Sequence, residues 1–338
     1  MLNETKNSAG AFGAGGDLNE IDRANLLKQL GAVQTNPYQA PGEFTREVLS
    51  LDGPAGRFSD QLAERVLSTD LSLDPVIHLK NLPVEETLPV FGHDDPVAEK
   101  YAKKKSFVTE ALLTLAAKAT DSVIFGYASI SGGDLYHDIY LKEDLRDTPS
   151  QKSMVSFGFH CDMGFKSNRP DWANLVCLRS SAANIVSTSI CRSIDILTQL
   201  DETSLKILSE ASFFTPEEVI SSRRASNLSR KPPVPVYLPD RPWKFEYFEK
   251  RTEAVTKEGA GALEVLSALC RRYSRLLVLK PGDLALVSNN NCLHCRDVIS
   301  VSDEEAHRKR WLIKTYNCAS ERLSRLELLS DRFMVVDE

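Results

Sequence analysis

The chain has 338 residues, enough for one large domain or two smaller ones. Its 42% hydrophobic and 26% charged content is ordinary for a globular protein, and a net charge of −6 argues against a general nucleic-acid or anionic-membrane binder. No apolar stretch approaches the ~20 residues of a membrane span. The opening Met1-Leu2-Asn3-Glu4-Thr5-Lys6 lacks the basic and apolar parts of a secretory signal. Seven cysteines, an odd number set mostly in apolar runs, fit a reduced chain better than a disulfide framework. The expectation is a soluble cytoplasmic protein.

The first 17 residues are rich in Gly, Ala, Asn and Ser, and a flexible N-terminal segment is expected over 1–40, interrupted by a short helix from Asp17 to Leu30. A single domain follows over 41–338. Helical spacing runs from Phe58 to Leu67 with Ser59 as cap, and from Phe107 to Ala117 with Ser106 as cap. Between them Pro75–Leu79 reads as a strand, which makes His78 structural. Strand patterns then dominate: Val123–Ala128, Leu135–Tyr140, Met154–Phe159, Leu175–Leu178 and Ser187–Ile190. Helices are expected near Asp195–Leu200 and Ser204–Ala211. The polar, Ser/Arg-rich stretch over 213–232 has the length and composition of a lid. Possible strands at Val234–Leu238 and Lys244–Phe248 precede a helix over Leu263–Tyr273. Short strands, long insertions and no βαβ rhythm give the expected fold class: α+β, mainly β, with a jelly-roll (double-stranded β-helix) core and flanking helices.

Two histidines are followed two residues later by an acid. His93-Asp94-Asp95 lies in a turn-rich acidic loop. Phe159-His160-Cys161-Asp162 ends a strand, where positions i and i+2 share a face. Such a pair offers a metal one imidazole nitrogen and one carboxylate oxygen. Further on, Pro281-Gly282-Asp283 turns into an alternating strand, Asn289-Asn290-Asn291 turns again, and His294 begins the next strand. Antiparallel neighbours in a small barrel would return His294 to His160 and Asp162. The three make a 2-His-1-carboxylate set that leaves positions open for O2 chemistry on Fe(II). Arg310, at the head of the apolar strand Trp311-Leu312-Ile313, can take a dicarboxylate's distal carboxylate through two parallel bonds. That is the need of a 2-oxoglutarate-dependent enzyme, and Thr188 can add a hydroxyl. The pair Cys292 and Cys295 has no partner ligands at zinc spacing, and Phe157 and Phe159 alternate as core residues.

In these motifs, with Gly132-Gly133 and Val176-Cys177-Leu178-Arg179, the chain resembles the clavaminate synthase-like (TauD-related) Fe(II)/2-oxoglutarate oxygenases over about 123–317. The resemblance implies iron held by His160, Asp162 and His294, 2-oxoglutarate held by Arg310 and Thr188, and O2 as oxidant. It implies no catalytic group beyond the metal centre, and a small-molecule partner, an amino acid. The expected reaction is hydroxylation of an unactivated C–H bond of a free amino acid or a derivative, with release of succinate and CO2. The alternatives are the same chemistry, desaturation or cyclisation on a carrier-tethered or peptidyl residue, and a non-catalytic barrel that binds a metal or small acid. The chain departs from the family in having Asp162 where Glu is usual. A carboxylate there also fills the position that iron halogenases leave to chloride. The interval from His294 to Arg310 is longer than usual, so Arg308 competes with Arg310. Lys314 stands where amino-acid hydroxylases carry an arginine for the substrate carboxylate. Glu246 loosely matches an acid for a substrate's distal cation.

Overall fold

The computed structural model describes residues 17–128, 130–164, 166, 168–216, 232–241, 244–325, 328–329 and 334–335. In chain order the elements are α1 (Glu20–Leu30), α2 (Pro41–Leu49), α3 (Gly53–Ser68), β1 (Val76–Leu79), α4 (Pro96–Lys103), α5 (Val108–Ala119), β2 (Ser122–Tyr127), β3 (His137–Ile139), β4 (Phe157–His160), β5 (Trp172–Arg179) and β6 (Asn184–Arg192). There follow α6 (Ser193–Leu197), α7 (Glu202–Leu208), β7 (Phe213–Phe214), β8 (Glu253–Ala254), α8 (Lys257–Tyr273), β9 (Leu284–Ser288), β10 (Cys292–Val301), α9 (Glu304–Arg308), β11 (Trp311–Ala319), β12 (Leu328–Leu329) and β13 (Met334–Val335). No helix of the described residues is long and apolar enough to cross a membrane.

The strands form an eight-stranded sheet in the order β1-β9-β5-β11-β2-β13-β12, with β3 also on β11, and a three-stranded sheet β4-β10-β6. Pairing is antiparallel except between β13 and β2. Residue alternation sorts the core into layers. On β5, β9 and β11 the side chains of Trp172, Val176, Leu284, Leu286, Trp311 and Ile313 face one way, onto the buried faces of α1, α2, α3 and α5. The alternating set, Ala173, Leu175, Cys177, Ala285, Val287 and Leu312, faces Ile190 and Cys292 of the small sheet. The small sheet turns Phe159, Cys191, Leu293 and Cys295 outward, under α6, α7 and α8. The result is a mixed α and β protein whose two antiparallel sheets face each other between helical layers.

Several expectations are corrected. The helix expected over Asp17–Leu30 is present as α1, but the described part of the segment expected to be flexible packs Leu18, Leu26, Leu30 and Val33 into the core. Helix α2, unmarked in the sequence, starts at Pro41, a residue the first helical turn accepts because it needs no N–H from it. Ser59 is buried within α3, whose N-cap position is Asp52, and α5 begins after Phe107 with no side-chain cap, so neither Ser59 nor Ser106 caps a helix. The strand pattern at Leu135–Tyr140 is realised over β3, and that at Met154–Phe159 over β4. Of the expected lid, residues 217–231, including Arg223-Arg224, lie outside the described residues. The expected strands at 234–238 and 244–248 are reduced to isolated bridges, Val234 to Phe213, Tyr237 to Phe245 and Phe248 to His160. Gly282 closes the turn into β9 at φ +85°, where a Cβ would come within 2.7 Å of the Leu82 carbonyl oxygen, so glycine is required there on both counts.

One polar knot fastens α4 to β3. The fully buried Lys100 lies 2.7 Å from Asp134 and 2.8 Å from Asp138, and donates to the Tyr136 carbonyl at 2.6 Å. Asp138 also accepts from the Trp311 indole at 2.8 Å. Burial alone would lower the Lys100 pKa, but the two carboxylates raise it. Breaking a buried pair strands the remaining charge. Lys100→Met is therefore expected to cost about 3–5 kcal/mol in urea unfolding, and a loss below 1 kcal/mol would refute this account of the knot.

Candidate metal centre

The small sheet builds the centre by register. β10 runs antiparallel to β4 with His294 opposite His160, and to β6 with His294 opposite Ile190. Asp162 follows β4 by two residues. His160, Asp162 and His294 are all buried, and their ligand atoms lie within 4.8 Å of one another. The His160 Nε2 is 3.7 Å from Asp162 Oδ1, and the His294 Nε2 is 3.3 Å from Oδ2.

Two of the three ligands, His160 and Asp162, are held from behind. The Nδ1–H of His160 donates to the Gly158 carbonyl at 2.8 Å. A carbonyl can only accept, so the proton is on Nδ1 and the Nε2 lone pair is free to bind a metal. Phe157 meets the ring edge-on with centroids 4.6 Å apart, and Phe248 stacks on it at 5.1 Å. The backbone of Asp162 is held in both directions: its N–H donates to Asn289 Oδ1 at 2.8 Å, and Asn289 Nδ2 donates to its carbonyl at 2.9 Å. Arg169, fully buried, donates to the carbonyls of Asn289 and, at 2.7 Å, Phe245. These supports were not legible in sequence, where Asn289 is one of three turn asparagines.

The electrostatics suit a cation. Burial would raise the Asp162 pKa, but Lys314 and the two histidines hold it well below the carboxylate range. Burial, reinforced by His294, lowers the His160 pKa and keeps that ring neutral. Among the described residues, Asp162 Oδ2 and His294 Nδ1 have no hydrogen-bond partner. A buried acceptor without a donor is costly in a folded protein, and the donor set of two imidazoles and one carboxylate is that of a facial iron site. The residues fit the metal.

Two cavities meet at this triad. A narrow one of about 50 Å³ is lined by His160, Asp162, His294, Thr188, Arg310 and Lys314. Arg310 is buried, and no described residue hydrogen-bonds or ion-pairs with its guanidinium. Arg308 instead points away, pairing with Glu143 at 2.8 Å. A wider cavity of about 550 Å³ opens from His160 and Asp162 past Phe157, Phe248, Lys152 and Tyr316.

The remaining sequence candidates fall as follows. Lys314 is buried on β11 with its Nζ 3.0 Å from Asp162 Oδ1. Glu246 lines a separate small hollow with Gly164 and Phe213, outside both metal-facing cavities. His93 stacks on Tyr140 at 5.5 Å, and His78 lies 3.1 Å from Asp283. Phe157, expected only in the core, also walls both cavities. Cys292 and Cys295 are buried and unbridged. His137 is buried beside Tyr316, and neither ring nitrogen has a hydrogen-bond partner among the described residues.

Two predictions follow from this geometry. Removing a metal ligand should cost more than the roughly 10–100-fold typical of an outer partner. His294→Ala should therefore weaken Co(II) binding over about a hundredfold by calorimetry, and Asn289→Ala within about 10–100-fold; equal effects would refute the division. The second concerns acid. Burial lowers the pKa of His137 and, with His294, that of His160, so both stay neutral in the fold. The unfolded chain takes up protons below about pH 6.5 and the fold does not. Metal-free stability should thus fall from pH 7 to 5, and His137→Gln should flatten the slope.

No protein-family model matches the chain. Over 249 residues it is 24% identical to clavaminate synthase 2 of Streptomyces clavuligerus, spanning 72% of this chain and 74% of that protein. Over 270 residues it is 25% identical to L-asparagine oxygenase of Streptomyces coelicolor, spanning 79% and 78%. The structure of an asparagine oxygenase in complex with Fe(II), 2S,3S-3-hydroxyasparagine and succinate superposes with a TM-score of 0.78 at 22% identity, over 95% of this chain and 99% of that one. That of the non-heme iron oxygenase OrfP with Fe and alpha-ketoglutaric acid gives 0.75 at 16% identity, over 95% and 99%. In sequence and in fold, the chain is similar to the clavaminate synthase-like non-haem iron oxygenases.

Proposed function

We propose that the protein is an Fe(II)- and 2-oxoglutarate-dependent oxygenase that hydroxylates an unactivated C–H bond of a free amino acid or amino-acid-derived small molecule, releasing succinate and CO2. The two facing antiparallel sheets are read, on the same likeness, as a double-stranded β-helix. One observation carries the proposal: a buried His160-Asp162-His294 triad shares a cavity with the buried Arg310, which pairs with no described carboxylate.

Iron held by the triad supplies O2 activation coupled to oxidative decarboxylation of 2-oxoglutarate. The protein's part is to hold and orient. Arg310 takes the distal carboxylate of 2-oxoglutarate, a charge-assisted pair strengthened by the low local dielectric. Thr188, on the neighbouring strand of the same cavity, adds a hydroxyl donor. Phe157 and Phe248 keep the His160 ring in place and give the wide cavity apolar walls, which limit water near the reacting carbon. Lys314 is assigned the substrate α-carboxylate. Its ammonium already reaches Asp162, so it would hold that carboxylate against the metal's own shell. Lysine lacks the planar fork of arginine, and this grip is a point charge. Glu246 has no part in the assignment.

Anaerobic loading with Fe(II) and 2-oxoglutarate, followed by O2, should yield succinate, accelerated by the true substrate; no O2-dependent succinate under any condition would overturn the proposal. Arg310→Ala should weaken 2-oxoglutarate binding about ten- to 150-fold, the loss of roughly 1.5–3 kcal/mol for a charged hydrogen-bonded pair. Arg308→Ala should leave that affinity unchanged.

A further inference from the structure

The wide cavity is lined by four cations that the proposed reaction does not use, Lys142, Lys152, Lys166 and Arg251, of which Lys142 pairs with Asp144. Lys152 lines it between Ser131 and Phe157, and the described polar contact of its Nζ is the Ser131 hydroxyl at 3.4 Å. No described carboxylate forms an ion pair with it. Asp134 and Asp138 are near enough to act on its charge, but Lys100 already binds both. Burial lowers the Lys152 pKa. Among the described residues this half-buried ammonium has no ion-pair partner, an arrangement a protein ordinarily avoids.

Its position is fixed rather than incidental. Arg296 lies on β10 two residues beyond His294, on the same face, and reaches into the loop that carries Lys152. It donates to the carbonyls of Gln151 at 2.7 Å, Ser150 at 3.1 Å and Val155, and to the Ser153 hydroxyl at 2.7 Å. The Lys152 carbonyl in turn accepts from the Lys142 N–H at 3.0 Å. One strand therefore carries a metal ligand and clamps the loop that presents the free cation.

The cavity's charges are lopsided. Besides Asp162, its lining carboxylates are Asp94 and Asp95, both exposed at the rim. Asp95 is engaged as the N-cap of α4, accepting from the Ala98 N–H at 3.1 Å. A substrate with a distal guanidinium or ammonium would meet Lys152 with no buried carboxylate among the described lining residues to offset it other than Asp162. A distal carboxylate would meet an unpaired ammonium.

We propose that Lys152 binds a second anionic group on the substrate, so that the substrate class is an acidic amino acid or a similarly dianionic small acid rather than a basic amino acid. The inference rests on the oxygenase reading above, in which Lys314 takes the α-carboxylate and Arg310 is filled by 2-oxoglutarate.

The test is anaerobic calorimetry on the full chain with Fe(II) and saturating 2-oxoglutarate, titrated with L-glutamate, L-aspartate and L-arginine. At least one acidic probe should bind at least about tenfold more tightly than L-arginine, the scale of one charged hydrogen bond. Lys152→Met should remove that margin, Lys152→Arg should retain most of it, and L-arginine should bind Lys152→Met no more weakly than the unaltered protein. Equal or tighter binding of L-arginine to the unaltered protein overturns the inference. So does an acidic-probe affinity unmoved by Lys152→Met, or no binding of either acidic probe. An unaltered thermal melt shows that Lys152→Met still folds. Succinate formation on O2 exposure reads the oxygenase assignment separately: a protein that makes succinate but prefers L-arginine loses only the present inference.

Discussion

The register of β10 is the constraint on which the centre depends. With His294 set opposite His160 and Ile190, the even-numbered side chains of this strand, Cys292, His294 and Arg296, point between the sheets. The odd-numbered Leu293 and Cys295 point out to α6, α7 and α8. A slip by one residue would exchange the two sets. It would bury two charged or polar side chains under helices and turn two apolar ones onto the metal face. The apolar outer layer thus enforces the polar inner one.

That inner face changes character along its length. It begins as packed apolar residues, among them Leu175, Ile190, Cys292 and Leu312, and becomes polar toward Thr188, His294, Arg310 and Lys314. Polar groups so placed are costly unless paired. Most buried polar groups in this chain are paired, as the Lys100 knot and the cluster of Lys104 with Glu85 and Glu110 illustrate. Among the described residues without a partner are Asp162 Oδ2 and His294 Nδ1 at this site, beside the Arg310 cavity, together with groups elsewhere such as the Asn174 amide and the His137 ring. The open atoms at the centre fit a site that spends stability on binding.

Much of this was legible in the sequence because it rests on short spacings. The spacing of His160 and Asp162 flagged the pair, although Asp162 lies in the turn after β4 and is placed there by Asn289 rather than by strand alternation, and the Pro281-Gly282-Asp283 turn into an alternating run is a local signal. The ordered set from His160 to Arg310 marked the resemblance, and the two sequence relatives bear it out. What the sequence did not show is set by distant partners. Asn289 looks like any turn residue until its amide meets Asp162, and Arg296 looks like any strand cation until it reaches the loop at 150–155. Helix starts failed for a related reason: Ser59 and Ser106 have the right chemistry for caps, but tertiary packing placed the ends of α3 and α5 elsewhere.

The clamp formed by Arg296 has a consequence for how such a protein can change. Of its four contacts in the loop, three are to backbone carbonyls, at Ser150, Gln151 and Val155, and one is to the Ser153 hydroxyl. A carbonyl is present whatever the side chain, so the clamp is nearly blind to the identity of residues 151 and 152. The loop can therefore exchange the group it offers to the cavity, cation for acid or apolar residue, while its path and the iron ligands stay as they are. Selectivity and reactivity are mechanically joined through β10 yet chemically separable, and substrate preference can drift in descendants of this chain without reopening the metal centre.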